Sequence, residues 1–247
     1  MRTVVKNDKG QIKPQEFMRE SPAAIVVVPY KKRGAFNAFK RSLDVIFSLL
    51  GLLILSPVFL VTAIAIKLDS RGSVFFSQIR VGKKGKLFKM FKFRSMCSDA
   101  EEKQAEFLHM NENSGPTFKI TNDPRVTKVG KVIRRLCVDE LPQLLNVLRG
   151  EMSIVGPRPP LPCEVDKYTA FHFKRLDITP GLTCYWQVSG NKNITFDEWV
   201  QMDINYINNR NIIEDIKIIL MTFQLIITGK GADCKCSKKN KKEIKAG

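Results

Sequence analysis

The chain has 247 residues, a formal net charge of +17 and a hydrophobic fraction of 44%. That length allows one catalytic domain plus a membrane anchor, and that charge points to nucleic acid, anionic lipid or a phosphorylated substrate. No zinc-finger spacing, aromatic RNA-binding signature or basic heptad helix is present, which sets nucleic acid aside.

Residues 1–35 read as a polar extension without a clear period, apart from the strand-like Ala24 to Val28. An apolar run follows from Leu43 to Ile66, long enough for a bilayer core, which needs about 20 residues in a helix. Ser56-Pro57 interrupts it, and proline removes a backbone hydrogen bond and clashes with the preceding turn. Both flanks are basic: Lys31, Lys32, Arg33, Lys40 and Arg41 precede the run, and Lys67 and Arg71 follow it. The asymmetry expected of a spanning helix is therefore missing. Residues 36–68 are expected to enter the membrane, break at Ser56-Pro57 and leave by the same face, with the Ser56 hydroxyl satisfying a freed carbonyl. A kinked spanning helix is the alternative. The late start and the absence of a small-residue cleavage site argue against a secretory signal. Asp44, at the membrane edge, is expected to pair with Lys40 or Arg41.

Beyond the run, Ser73 to Arg80 and Lys86 to Phe93 have the length and aromatic content of strands, and Val-Gly-Lys-Lys-Gly between them predicts a hairpin. The second strand ends at Arg94, which the bland reading leaves as a solvated edge residue. Helices are expected from about Ser98 to Met110 and from Val126 to Leu136, with a turn from Asn111 to Pro116.

The next stretch, RRLCVDELPQLLNVLRGEMSIVGPRP (Arg134 to Pro159), places Asp139 and Glu140 between Arg134-Arg135 and the Gly156-Pro157-Arg158-Pro159 turn. Acids set among cations suit phosphate chemistry: a carboxylate can attack or hold a metal, and guanidinium groups neutralise developing charge. The bland reading makes Asp139 the cap of the following helix, with Glu140 in its first turn. That helix would bury Leu141, Leu144, Leu145 and Leu148 and close at Arg149-Gly150. Thr179 to Thr183 reads as a rigid turn, and Phe196 to Asn208 and Asn211 to Thr228 read as helices. The last is apolar enough for the membrane interface or for packing under the bent segment, with a second span as the alternative. Cys97, Cys137, Cys163, Cys184, Cys234 and Cys236 have no paired spacing and read as reduced thiols. His109 and His172 read as surface or packing residues. Residues 233–247 read as a basic disordered tail attracted to anionic lipid.

In order, KRSLDVIFSLLGLLILSPVFL, FKFRSM, DPRVTKVGKVIRR, DELPQLLNVLRGEMSIVGPRP, TPGLT, WQVSG, FDEW and GKGA resemble the bacterial sugar transferase family, the monotopic phosphoglycosyl transferases. The resemblance covers roughly Lys40 to Ala232. It implies an α+β fold, mostly helical, with a re-entrant helix-break-helix and a small β-hairpin, residues 69–232 forming the catalytic domain. The implied reaction moves a sugar 1-phosphate from a UDP-sugar to polyprenyl phosphate, usually undecaprenyl phosphate, with release of UMP. Asp139 would be the nucleophile and Glu140 its assistant in proton transfer or acceptor orientation. Mg2+ would bridge the diphosphate and Asp139. Arg134 and Arg158, with Pro157 in the rigid turn, would bind phosphate or nucleotide, and Arg94 is a further contact. The implied setting is the cytoplasmic membrane with the catalytic domain facing the cytosol, lipid as partner, and a homo-oligomer left open. A non-catalytic, membrane-tethered assembly partner is the alternative. After the TPG turn the chain departs from the pattern, with Cys184 where glycine is common and Asn191-Lys192-Asn193 where an arginine is usual, which leaves the donor open.

Overall fold

The computed structural model describes residues 34–111, 120, 122–189 and 194–228. The strand-like Ala24 to Val28, most of the Asn111–Pro116 turn, Asn191-Lys192-Asn193, the GKGA run and the basic tail lie outside them.

Two helices, α1 (Gly34–Ile54) and α2 (Ser56–Asp69), meet at Leu55 with a bend of 59°. The cause is local. Pro57 has no N–H to offer the Leu53 carbonyl, and the Ser56 hydroxyl donates to that oxygen instead at 2.8 Å. Ile46, Phe47, Leu49, Leu50, Leu53 and Ile54 of α1 and Leu60, Val61, Ile64 and Leu68 of α2 are exposed. Among the described residues no single helix is long and apolar enough to cross a membrane; this pair passes that test only together.

Polar contacts fasten the foot of the pair to the rest of the chain, and they refine the expected pairing of Asp44: the charge of Lys40 acts on its carboxylate, but the direct ion pair of Lys40 goes elsewhere. Lys40 Nζ donates to Asp215 Oδ2 at 2.5 Å. Arg41 donates to the Val147 and Leu148 carbonyls, near the end of a helix where unsatisfied carbonyls and the helix dipole favour a cation. Asp44 accepts the Ile154 N–H at 3.0 Å. Its neighbours in sequence are drawn to partners brought close only by folding.

Strands β1 (Phe75–Val81) and β2 (Leu87–Phe93) form the expected antiparallel hairpin, in register from Phe75↔Phe93 to Val81↔Leu87. Phe76, Gln78 and Arg80 thus share one face with Phe88, Met90 and Lys92. The segment Glu102–Met110 is 3-10 helix rather than α-helix. Helix α3 (Lys128–Arg135) starts at Thr127, whose side chain accepts the Gly130 N–H. Ile66 of α2, Phe93 of β2 and Ile133 of α3 pack in one cluster.

Helix α4 (Gln143–Arg149) follows, and its N-cap position is Pro142, not Asp139. Its buried face also differs from the leucine stripe expected: Gln143, Leu144, Asn146 and Val147 are buried, while Leu145 is 38% exposed. Asn146 is drawn inward by backbone polar groups of β2, accepting from Phe91 N–H and donating to the Lys89 carbonyl. A buried backbone needs such partners, which outweighs the apolar preference for leucine.

The Thr179–Thr183 segment is more than a turn. Its Gly181–Thr183 portion is strand β4, parallel to β3 (Ser153–Val155), with Ser153↔Gly181 and Val155↔Thr183 in register. The approach beyond β3 is so close that a Cβ on Gly181 would lie 2.0 Å from the Gly156 nitrogen. Helices α5 (Phe196–Asn209) and α6 (Ile212–Thr228) close the fold. Val155, Ile178, Val188, Tyr206, Ile207 and Ile218 form the core beneath β3 and β4, each large side chain contributing about 1.5–3 kcal/mol on burial. Along α6, Ile213, Ile216, Leu220, Phe223 and Ile227 remain exposed.

Candidate active site

Asp139 and Glu140 sit in a single 3-10 turn, Val138–Glu140, between α3 and α4. The chain enters it through Cys137 at φ 55°, ψ 19°. A left-handed non-glycine residue costs about 1–2 kcal/mol, and here it produces the reversal that turns the acid pair away from the axis of α3. Asp139 is buried at 8% exposure. Glu140 points toward the hairpin, where Lys92 Nζ donates to its Oε1 at 2.7 Å.

Arg158 is presented by the Pro157–Pro160 loop that leaves β3. Four successive carbonyls in this loop are held from four directions. Gly181 N–H donates to Pro157, the Arg175 guanidinium to Arg158 at 3.4 Å, the Arg80 guanidinium to Pro159 at 3.1 Å, and Val81 N–H to Pro160. Three prolines also lock their own φ angles. The loop is therefore stiff both covalently and through its contacts, and Arg158 projects from a fixed base.

An open cleft of about 280 Å3, counting its mouth, lies between these parts. The hairpin contributes Arg80, Met90 and Lys92, the acid turn and α4 contribute Glu140 and Gln143, and the proline loop contributes Arg158 and Pro159. Gly181, Leu182 and Gln187 complete it. Burial pushes the Arg80 guanidinium down to about 10, and the charge of Arg158 pushes the same way, against Glu164 and Glu140. Three cations face one carboxylate, and that carboxylate is already paired with Lys92. Such a surplus in a partly desolvated cleft favours a bound anion.

The residues expected at the site are divided. Glu140 and Arg158 line the cleft together, and buried Pro157 supports the loop. Asp139 is the buried neighbour of Glu140 and is not among the lining residues. Arg134, on α3, lies within the electrostatic reach of Asp123. Arg94 is neither in the cleft nor a solvated edge residue. It is 8% exposed and donates to the Ser70 and Arg71 carbonyls just after α2. His172 packs against aromatic rings, accepts the Thr169 N–H on Nδ1 and meets Asp197 at 2.8 Å through Nε2.

Arg80, Lys92, Gln143 and Gln187 went unnoticed in the sequence. For the first two a signal exists. Period-two alternation puts one cation on the inward face of each strand, alongside Phe76, Phe88 and Met90, where an unpaired charge is costly.

The residues present fit a magnesium ion in one respect. Mg2+ usually takes only one or two protein carboxylates and completes its shell with substrate phosphates and water. Asp139, buried beside the cleft, and Glu140, paired with Lys92, are the carboxylates that would hold it.

An acid pair beside a cationic cleft, in a fold that also carries a bent apolar helix pair, defines a class: enzymes that handle phosphorylated substrates. The model of the bacterial sugar transferase family matches residues 35–229, and the chain belongs to that family. It is 47% identical over 194 residues to the galactosyl transferase CpsE of Streptococcus agalactiae, covering 78% of this chain and 43% of CpsE. It is 41% identical over 197 residues to the exopolysaccharide production protein ExoY of Rhizobium meliloti, covering 78% of this chain and 87% of ExoY. The undecaprenyl-phosphate galactose phosphotransferase of Salmonella typhimurium is 38% identical over 197 residues, 78% of this chain and 41% of that protein. The chain thus matches less than half the length of the first and third relatives and most of the second.

Proposed function

We propose that this protein transfers a sugar 1-phosphate from a UDP-sugar to a polyprenyl phosphate, undecaprenyl phosphate in bacteria, releasing UMP. The observation that carries this reading is the charge of the cleft. Arg80, Lys92 and Arg158 against Glu140 leave a surplus of two positive charges, by counting lining residues, and the diphosphate of a nucleotide sugar carries two negative ones. The names of the relatives from Salmonella typhimurium and Komagataeibacter xylinus, galactose and glucose phosphotransferases acting on undecaprenyl phosphate, support the same acceptor.

In the proposed sequence a carboxylate oxygen of Asp139 attacks the β-phosphorus of the donor. The bond from that phosphorus to the bridging oxygen breaks, UMP departs with the electron pair, and the sugar phosphate stays on Asp139 as an acyl phosphate. An oxygen of the polyprenyl phosphate then attacks the same phosphorus and displaces Asp139, which regains its carboxylate. Arg158 holds the diphosphate oxygens while charge shifts between them, and buried Arg80, bonded to the Pro159 carbonyl and to Gln78, adds positive charge from behind. Glu140 accepts a proton from the incoming phosphate or orients it, and Lys92 keeps its carboxylate directed at the cleft. Bound through Asp139, Mg2+ would supply charge neutralisation on the diphosphate. Arg134 is assigned to phosphate binding from the flank of the acid turn, and Arg94 acts from outside the cleft by securing the exit of α2.

The bent pair is read as a re-entrant anchor in the cytoplasmic leaflet, with residues 69–232 on the cytosolic side. The 59° bend, the basic residues on both flanks and the exposed apolar side chains of both helices support that placement. The decisive experiment follows release of labelled UMP from a panel of UDP-sugars by purified membranes with undecaprenyl phosphate. The reading requires acceptor-dependent release with at least one donor, and release with none would defeat it.

A further inference from the structure

The uncharged wall of the cleft is built by β4 and the one-turn helix Tyr185–Val188, and it offers Gly181, Leu182 and Gln187. Packing and a hydrogen bond hold much of this wall in place. Val188 is buried in the core, and the Trp186 ring packs on Trp199 with centroids 4.2 Å apart. The Thr183 hydroxyl is tied to that of Thr222 on α6 at 2.7 Å. Gln187 is the member of the wall whose side chain can both donate and accept hydrogen bonds.

One end of that amide is already engaged. The Cys184 thiol donates to Gln187 Oε1 across 3.0 Å, and Cys184 itself is 2% exposed. Burial raises the thiol well above its ordinary value, so it remains a donor. A glutamine without such a neighbour can rotate its amide and offer either a carbonyl or an NH2 to a ligand. With Oε1 turned toward Cys184, the NH2 at the other end of the amide is the group offered to a ligand.

We propose that Gln187 is a specificity-determining residue whose NH2 recognises an acceptor oxygen on the neutral part of the nucleotide sugar, and that Cys184 is the positioning residue that fixes this polarity. The proposal rests on the reading of the cleft as a nucleotide-sugar site, and it adds the direction in which one hydrogen bond must run. A fixed donor discriminates because a ligand presenting another donor there leaves two polar groups unpaired on binding. The acceptor oxygen belongs either to the uridine or to the transferred sugar, and the two sources separate experimentally.

The test compares the full-length wild type with Cys184→Ala, Cys184→Ser and Gln187→Leu in nanodiscs, by titration with UMP, UDP-glucose, UDP-galactose and UDP-N-acetylgalactosamine. Cys184→Ala is expected to weaken at least one of these about five-fold, the scale of one neutral hydrogen bond, and Gln187→Leu to weaken the same ligand as much or more. Cys184→Ser, whose hydroxyl can donate to the same oxygen, restores wild-type binding. A purely structural loss at Cys184 would lower affinity for all four ligands together with the unfolding temperature, without rescue by serine, and that result overturns the proposal. Weakening that already appears with UMP assigns the oxygen to the uridine; weakening confined to the UDP-sugars assigns it to the transferred sugar. Unchanged binding in Cys184→Ala and Gln187→Leu, with a wild type that binds, overturns the proposal and leaves the cleft reading intact. A wild type that binds none of the four overturns both.

Discussion

The ammonium of Lys92 lies 2.7 Å from a carboxylate oxygen of Glu140, joining the β-hairpin to the acid turn across a separation of 48 residues. Each partner is about four-fifths buried on its side chain, so the contact is only partly screened by water. It orients Glu140 and at the same time places a cation beside the proposed diphosphate. Glu140→Gln is expected to lower kcat by about 100-fold, the size of a general acid–base contribution. Lys92→Met is expected to raise the KM for the UDP-sugar as well, because it removes a cleft cation. Steady-state UMP release measures both, and a change of less than a few-fold for Glu140→Gln would remove that residue from the chemistry.

Asp139→Asn keeps the shape of the turn but removes the nucleophilic carboxylate. Turnover and trapping of a phosphosugar adduct are expected to vanish, while the protein still partitions into membranes. Mass spectrometry of protein quenched with UDP-sugar reads the adduct, and flotation reads the membrane fraction. Near-normal activity in this variant would exclude the nucleophile assignment.

The bend between α1 and α2 depends on two adjacent residues. Pro57 removes the helical donor to Leu53, and Ser56 replaces it. The double change Ser56→Ala, Pro57→Leu is expected to restore an ordinary helical turn and straighten the pair. In a re-entrant arrangement, cysteines introduced at Gly34 and Arg71 are both shielded from an impermeant thiol reagent added outside spheroplasts. In the double variant one of them becomes reactive. Opposite exposure of the two positions in the unaltered segment would refute re-entry.

Asp123 and Arg125 form a buried pair, 2.6 Å at the closest contact with 6% of each side chain exposed. Burial alone would raise the Asp123 carboxyl, but its hydrogen bonds and the charge of Arg125 hold it below the usual value. The stability this lends is fully present above the ordinary carboxylate range and disappears as the pH falls through the lowered value. Asp123→Asn leaves the Arg125 charge buried without its counter-ion. That change is expected to cost about 3–5 kcal/mol and to flatten the acid limb of the stability curve, as read by thermal unfolding in detergent between neutral and acidic pH.

Several parts of the site were readable before folding was considered. Glycine and lysine between two aromatic runs define the hairpin, and the proline-rich turn beside the acid pair locates Arg158. Other parts were not. Arg94 follows a strand and looks available to a phosphate, yet its guanidinium is used by the Ser70 and Arg71 carbonyls. Arg80 and Lys92 look like ordinary hairpin charges until the strand register shows that they share the inward face. The leucine stripe of α4 misled because Asn146 satisfies the β2 backbone from inside the core.

Covalent geometry and period acted over a handful of neighbouring residues, and these determined where the apolar segment breaks, which runs pair as a hairpin, and that Asp139 and Glu140 stand side by side before a stiff turn. The partners of the charges were decided only by the tertiary structure. Lys40 reaches Asp215 across 175 residues, Asp44 meets the backbone of β3, and three cations converge on one cleft. A charge in a chain of this composition has many potential counter-ions within a few residues. Which one it meets depends on how packed elements exclude water, and that is a property of the assembled core rather than of any local stretch.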